Sequence, residues 1–276
     1  MKALTQGLMK GLPHFFRFGT ALIAAAAAAT TALAPAHAQS TAPAIGCVAP
    51  AELVRLENPL ARVALRVSSG QPLKIVAIGS SSTFGAGASS PAWSYPSRLA
   101  VELQSLFPNL SITVVNRGVN GETTSEMLAR FNRDVFAESP DLVLWQVGSN
   151  AVLHGVPVEQ ASALLREGLK RMRAADTDVV LINPQYAPKV IAKYAADQMV
   201  DLIDSTARET RVDLFERFAV MRYWRVTRDI PFSSFVSPDE LHMNDWSYGC
   251  IAKLLAGAIH EAATRVTVTA TARVRR

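Results

Sequence analysis

The sequence predicts an α/β protein: a three-layer α/β/α sandwich around a central parallel sheet of about five strands. Three observations predict it. Short, strand-like apolar runs recur at Leu73–Ile78, Ser111–Val115, Leu142–Val147, Val179–Asn183 and Val212–Phe215. The first of them is β-branched and apolar without alternation, as in a strand buried on both faces of a parallel sheet. Segments with apolar residues at helical spacing separate the runs, and strands that alternate with helices build parallel sheets covered on both sides.

Residues 1–38 read as an export leader. They hold Lys2, Lys10 and Arg17 with no acidic residue, then the apolar run Phe18–Ala34, then Ala36-His37-Ala38, a small-x-small cleavage pattern. About 17 alanine-dominated residues are short for a membrane span. The expectation is a signal peptide cut after Ala38, a periplasmic or secreted mature chain, and no membrane span after cleavage. Residues 39–72 start with the Ala, Pro and Ser-rich linker Gln39–Ala51. Glu52–Val67 follows, with Leu53, Leu56, Leu60, Val63 and Val67 at helical spacing. Pro59 either kinks that helix or marks its start.

The main domain is expected over residues 73–264. Its first strand runs into Gly79-Ser80-Ser81-Ser82-Thr83-Phe84-Gly85, and a helix follows over Pro96–Leu106, ending before Pro108. The second strand leads through Asn116–Thr124 into a helix carrying Met127, Leu128, Phe131 and Val135, with Thr123 or Thr124 as its cap. The third ends in Gly148-Ser149-Asn150, ahead of a helix with Ala161, Leu164, Leu165, Gly168 and Met172 on one face. After the fourth come Pro184–Pro188 and a helical pattern over Ile191–Thr210. The fifth precedes Ser237–Asp245 and a last helix from Trp246 to about Thr264. Arg265–Arg276 reads as a frayed basic tail.

The formal charge of +5 falls to about +2 once the leader's three basic residues are gone. That balance, with no basic patch interleaved with aromatics, gives no reason to expect a nucleic-acid partner. Cysteine and histidine spacings suggest no metal site, and no cofactor is expected; a Walker lysine and a GxSxG elbow are both missing. Cys47 and Cys250 are either bridged, as an oxidising compartment favours, or two separate buried thiols.

Ligands bind at the carboxyl edge of open parallel sheets, so the three Ser-, Asn- and Gly-rich strand-end loops should converge there, within reach of a fourth loop carrying Asp239 and His242. At these four blocks, in order from Leu73 to His242, the chain resembles the SGNH or GDSL-type hydrolases. The Gly-Asp-Ser block stands here as Gly79-Ser80-Ser81, the second glycine as Gly121, Gly-x-Asn-Asp as Gly148-Ser149-Asn150-Ala151, and Asp-x-x-His as Asp239-Glu240-Leu241-His242. The resemblance implies a flavodoxin-like sandwich and a catalytic set of Ser81, His242 and Asp239. It also implies an oxyanion hole made by the N–H groups of Ser81 and Gly121 and the Asn150 amide. Ser80 and Ala151 depart from the family pattern. Only alignment with that pattern selects Ser81 over Ser80 and Ser82; Asp245 competes with Asp239, and His154 and His260 compete with His242. Trp93, Tyr95, Tyr186, Trp224 and Trp246 are candidates to line a pocket.

The implied activity is a serine esterase cleaving carboxylic esters, with a small-molecule or glycan ester as substrate and O-acetylated carbohydrate preferred. Two other readings stand beside it. One is a flavodoxin-like module holding phosphate or FMN in the serine turn. The other is an inactive, carbohydrate-binding relative of the esterases.

Overall fold

The computed structural model describes residues 46–274, with side chains through Arg265; the leader, its cleavage site and most of the linker lie outside the described residues. Five parallel strands, β1 (Leu73–Gly79), β2 (Ile112–Gly118), β3 (Leu142–Gln146), β4 (Asp178–Ile182) and β5 (Asp213–Phe215), form one sheet in the order β2-β1-β3-β4-β5. Ile75 pairs with Val114 on one side and Leu142 on the other, Leu144 with Val180, and Leu181 with Leu214. The chain reverses direction across β1, so the carboxyl ends of β1 and β3 flank the crevice where such sheets take ligands.

Successive strand residues point to opposite faces, and two cores result. Leu73, Ile75, Ala77, Leu142, Leu144, Val180 and Ile182 face a core covered by helices Ala61–Ser69, Tyr95–Leu106 and Asp245–Val274. Val76, Ile78, Val143, Trp145, Val179 and Leu181 face the other, under helices Thr124–Ala129, Val158–Ala174 and Ala195–Thr210. The predicted three layers are therefore present, with β1, β3 and β4 buried on both sides and the edge strand β2 only partly covered.

Local differences from the sequence expectations have local causes. Pro59 starts a helix rather than kinking one: a short turn Ala51–Val54 precedes it and Ala61–Ser69 follows. The residue before that second helix offers no side-chain cap. Asp178, at the start of β4, supplies one from outside, its Oδ2 accepting the N–H groups of Arg62 at 2.9 Å and Val63 at 3.0 Å. The pattern over Ile191–Thr210 divides into Pro188–Ile191 and Ala195–Thr210. The last helix continues to Val274, where a frayed tail was expected. Its Val- and Thr-rich end has poor intrinsic helix propensity, which hid the continuation.

Cys47 and Cys250 are joined, 203 residues apart in sequence with Cα atoms 5.4 Å apart. The bond ties the segment ahead of the first helix to the last one, and Trp224 Nε1 donates to Val48 O at 2.9 Å beside it. No described helix is long and apolar enough to cross a membrane.

Two outcomes follow for stability. The double substitution Cys47→Ser with Cys250→Ser should cost roughly 3 kcal/mol by releasing the unfolded chain. For a domain of this size that is a fall of about 6–12 °C in the calorimetric Tm. Asp178 gives a pH dependence. Burial is the largest influence on its carboxyl and raises it to about 6, against the lowering effect of the Val63 and Arg62 N–H groups. A carboxyl raised in the fold contributes stability below its unfolded value that is lost as pH rises through the folded one. Asp178→Asn keeps an acceptor for the helix, so the stability of the variant relative to the wild type should increase between pH 4 and 7, measured by urea unfolding at each pH.

Candidate active site

Ser80 follows β1, and the chain then enters a single helical turn, Ser81–Phe84. The three serines then part company. Ser80 is 1% exposed, and both its N–H, at 2.9 Å, and its Oγ, at 3.0 Å, donate to Gln146 Oε1, which also receives Thr83 Oγ1 at 3.3 Å. Ser82, equally buried, donates to Gln185 Oε1 at 3.4 Å. Ser81 Oγ lies 2.8 Å from His242 Nε2, so it alone of the three faces a histidine. The turn sits close to the end of β2: a Cβ added at Gly118 would lie 2.1 Å from Phe84 N, so glycine is required there.

His242 is held in a loop closed by the antiparallel bridge Val236–Met243. Its Nδ1 meets Asp239 Oδ2 at 2.5 Å, and Asp239 Oδ1 accepts the N–H groups of His242 at 2.9 Å and Leu241 at 3.0 Å. Partial burial is the largest influence on the Asp239 carboxyl and raises it. The bonds from the His242 ring and the two N–H groups outweigh that and hold it at about 2, an ionised group at neutral pH. Asp245 points elsewhere, accepting the Ser89 N–H at 2.8 Å and the Ser89 hydroxyl at 2.5 Å. His154 is exposed at the end of helix Ser149–His154, and the His260 ring packs on Phe107 with centroids 5.0 Å apart.

Gly121, in the loop after β2, adopts φ +81°, a left-handed conformation that favours glycine. Neither its N–H nor that of Ser81 has an acceptor among the described residues. Asn150 opens the helix after β3, 8% exposed, and one hydrogen of its amide goes to Glu122 O at 2.8 Å. The second has no acceptor among the described residues. Three donors therefore remain unspent in the loops after β1, β2 and β3. Sequence reasoning missed what holds them: Arg130, nearly buried, grips the Glu122 carboxylate at 2.6 Å and 2.7 Å, Asp134 at 2.9 Å and Gly79 O at 3.3 Å. It also missed Gln146, whose signal was a lone polar residue in an otherwise apolar strand. Ala151 is buried in the apolar second core, where the acid usual at that position would be desolvated.

The surroundings divide the expected pocket aromatics. Tyr95 and Trp224 are core residues, 1% and 0% exposed, whereas Trp93 is 40% exposed with the Arg98 guanidinium 5.0 Å over its ring. Phe84, beside the serines, is 52% exposed and was not anticipated. Tyr186 stacks on Phe232, and a hollow of about 440 Å³ lined by Phe232, Pro188, Val236 and Pro238 flanks the Asp239 loop.

A parallel doubly wound sheet that gathers a serine, a histidine, a carboxylate and free N–H donors at its carboxyl edge defines a protein of hydrolase-like α/β/α fold. The chain belongs to the non-GDSL lipase-like family, whose model matches residues 46–265. That family is named as non-GDSL, where the resemblance implied a GDSL type, and this chain carries Ser80 in place of the GDSL-type Asp. Among individual proteins, the chain is similar to an arylesterase of Vibrio mimicus, 28% identical over 167 residues, which are 60% of this chain and 81% of that one. An acetylxylan esterase of Geobacillus stearothermophilus is 31% identical over 94 residues, 30% of this chain and 43% of that relative, less than half its length. Two solved structures share the fold. One is a two-domain esterase active on acetylated mannans (TM-score 0.64, 21% identity, 76% of this chain); this chain spans only 56% of it. The other is a mutant of an acetyl-xylooligosaccharide esterase from Geobacillus (TM-score 0.60, 23% identity, 69% of this chain and 95% of that one).

The packing at Ser80 gives a direct test. Ser80→Asp, which restores the GDSL-type residue, forces a buried carboxylate against Gln146 Oε1 or turns that amide round and leaves the residue-80 N–H unsatisfied. Either costs about 2 kcal/mol or more, so the urea midpoint should fall clearly. An unchanged midpoint would contradict the assigned role of Gln146.

Proposed function

We propose that the chain is an SGNH-type serine esterase, exported from the cytoplasm, that hydrolyses carboxylic esters through an acyl-enzyme on Ser81. O-acetyl groups on carbohydrate are its preferred substrate class. The observation that carries this is the unbroken row of hydrogen bonds from Ser81 Oγ through the His242 ring to Asp239, at 2.8 Å and 2.5 Å. Ionised Asp239 accepts Nδ1–H, which leaves the Nε2 lone pair facing the serine hydroxyl.

His242 removes the Ser81 proton as Oγ attacks the ester carbonyl. The negative oxygen that develops is received by the N–H groups of Ser81 and Gly121 and the spare hydrogen of Asn150, donors that commonly contribute ~3 kcal/mol each. As the intermediate collapses, His242 returns the proton to the departing alcohol. Water, activated by the same ring, then cleaves the acyl-serine to acid and free Ser81. Exposed Phe84 and Trp93 and the hollow beside the Asp239 loop offer apolar surface for the rest of the substrate. Family membership and relatives named as arylesterase and acetylxylan esterase support ester hydrolysis. The Cys47–Cys250 bond supports an oxidising compartment.

The phosphate- or FMN-binding reading is weaker on a specific observation. The Ser80, Ser82 and Thr83 hydroxyls that would hold a phosphate are turned into the protein onto Gln146 and Gln185. That reading also leaves His242 and Asp239 unused.

Pure protein should hydrolyse p-nitrophenyl acetate and acetylated xylo- or manno-oligosaccharides, and a fluorophosphonate should label Ser81. Ser81→Ala should abolish both, and Asp239→Asn should lower kcat by ~10³-fold or more, by freeing the ring tautomer. No turnover of any ester and no labelling of the wild type would sink the esterase reading; oligosaccharide binding that survives in both proteins would then favour the inactive carbohydrate-binding relative.

A further inference from the structure

Beneath the Ser81–His242–Asp239 row lies a second buried glutamine that the chemistry above does not use. Gln185, in the loop after β4, is 1% exposed. Its Oε1 accepts Ser149 Oγ at 2.7 Å, Arg217 Nη2 at 3.0 Å and Ser82 Oγ at 3.4 Å. Its Nε2 donates to Leu241 O at 3.2 Å, the carbonyl of the peptide that leads into His242. One side chain thus touches the immediate neighbours of Ser81, Asn150 and His242. Lys189 N–H adds a second tie from the same loop to Glu240 O at 3.0 Å.

Arg217, just after β5, is also 1% exposed. Its Nε donates to Asn183 O at 2.9 Å, its Nη1 has no partner, and it pairs with no carboxylate among the described residues. Burial is the largest influence on the guanidinium and lowers it to about 10, against the opposing influence of Tyr95 and Tyr248; it stays a cation at neutral pH. A buried cation without a carboxylate partner is costly, and glutamate at position 185 would provide one.

The other side of the amide explains why glutamine stands there. A guanidinium only donates, so Oε1 must face Arg217, and the amide is then compelled to present Nε2–H to Leu241 O. A carboxylate cannot make that second bond while ionised. We propose that Arg217 and Gln185 form a positioning pair: Arg217 fixes the orientation of the Gln185 amide, and Gln185 sets His242 at hydrogen-bonding height over Ser81. The pair rests on the serine-esterase reading for its consequence in catalysis, and on geometry alone for its effect on His242.

Gln185→Glu separates the two roles. The buried cation gains a carboxylate, and Leu241 O loses its donor and faces a negative oxygen. The expected result is a thermal midpoint at or above the wild type's. With it should come a kcat for p-nitrophenyl acetate lowered by ~10–100-fold, the scale of small misplacements of a catalytic group. The ring titration of His242, followed by NMR, should shift. Arg217→Lys keeps the charge and loses the fork, and should lower both midpoint and kcat while shifting the same titration. A merely structural role would move stability and activity together. Gln185→Glu with wild-type kcat and an unmoved His242 titration would overturn the proposal, as would a midpoint falling in step with kcat. If the wild type turned over no ester, the esterase reading would fail by itself, and the midpoint and His242 titration would still decide the pair.

Discussion

The buried donors beneath the serine turn need acceptors that water does not supply. Two glutamine carbonyl oxygens answer that need. Gln146 collects the Ser80 N–H and the hydroxyls of Ser80 and Thr83; Gln185 collects Ser82, Ser149 and Arg217. Because each neighbour of Ser81 is claimed from below, Ser81 is the hydroxyl left facing His242. The orientation of the serine turn is thus decided by residues from β3 and from the loop after β4, not by the turn itself.

This division explains what was legible in the sequence. The alternation of apolar runs with helical spacing predicted the sheet and its layers, since burial on both faces leaves no other pattern for β1. The order of the Gly, Asn and Asp-x-x-His blocks located the edge where the candidate site lies. The choice among Ser80, Ser81 and Ser82 was legible only through the family pattern and not from the residues themselves, because it depends on contacts 66 and 103 residues away and on the 161-residue step to His242. Arg130 and Arg217 were hidden for a related reason. A charged residue at a helix or strand end looks like surface until the segments that bury it are known.

The departures from the GDSL-type pattern also acquire a cause. An acid at position 80 would meet a carbonyl oxygen already accepting three donors, and one at position 151 would enter an apolar core. Both positions support the loops, and in this chain neutral groups do that work. Charges near the edge include Arg130 with Glu122 and Asp134, Asp239, and Arg217.

The distance along the chain between Ser81 and His242 also bears on when chemistry can begin. The serine turn belongs to the first βα unit, but the histidine that faces it lies beyond the fifth strand, on the loop that leads into the last helix, which the Cys47–Cys250 bond returns to the start of the domain. A partly synthesised or partly folded chain holds the Ser81 hydroxyl without the His242 ring. On the roles proposed for Ser81 and His242, hydrolytic competence is acquired late and all together, once both ends of the domain have folded.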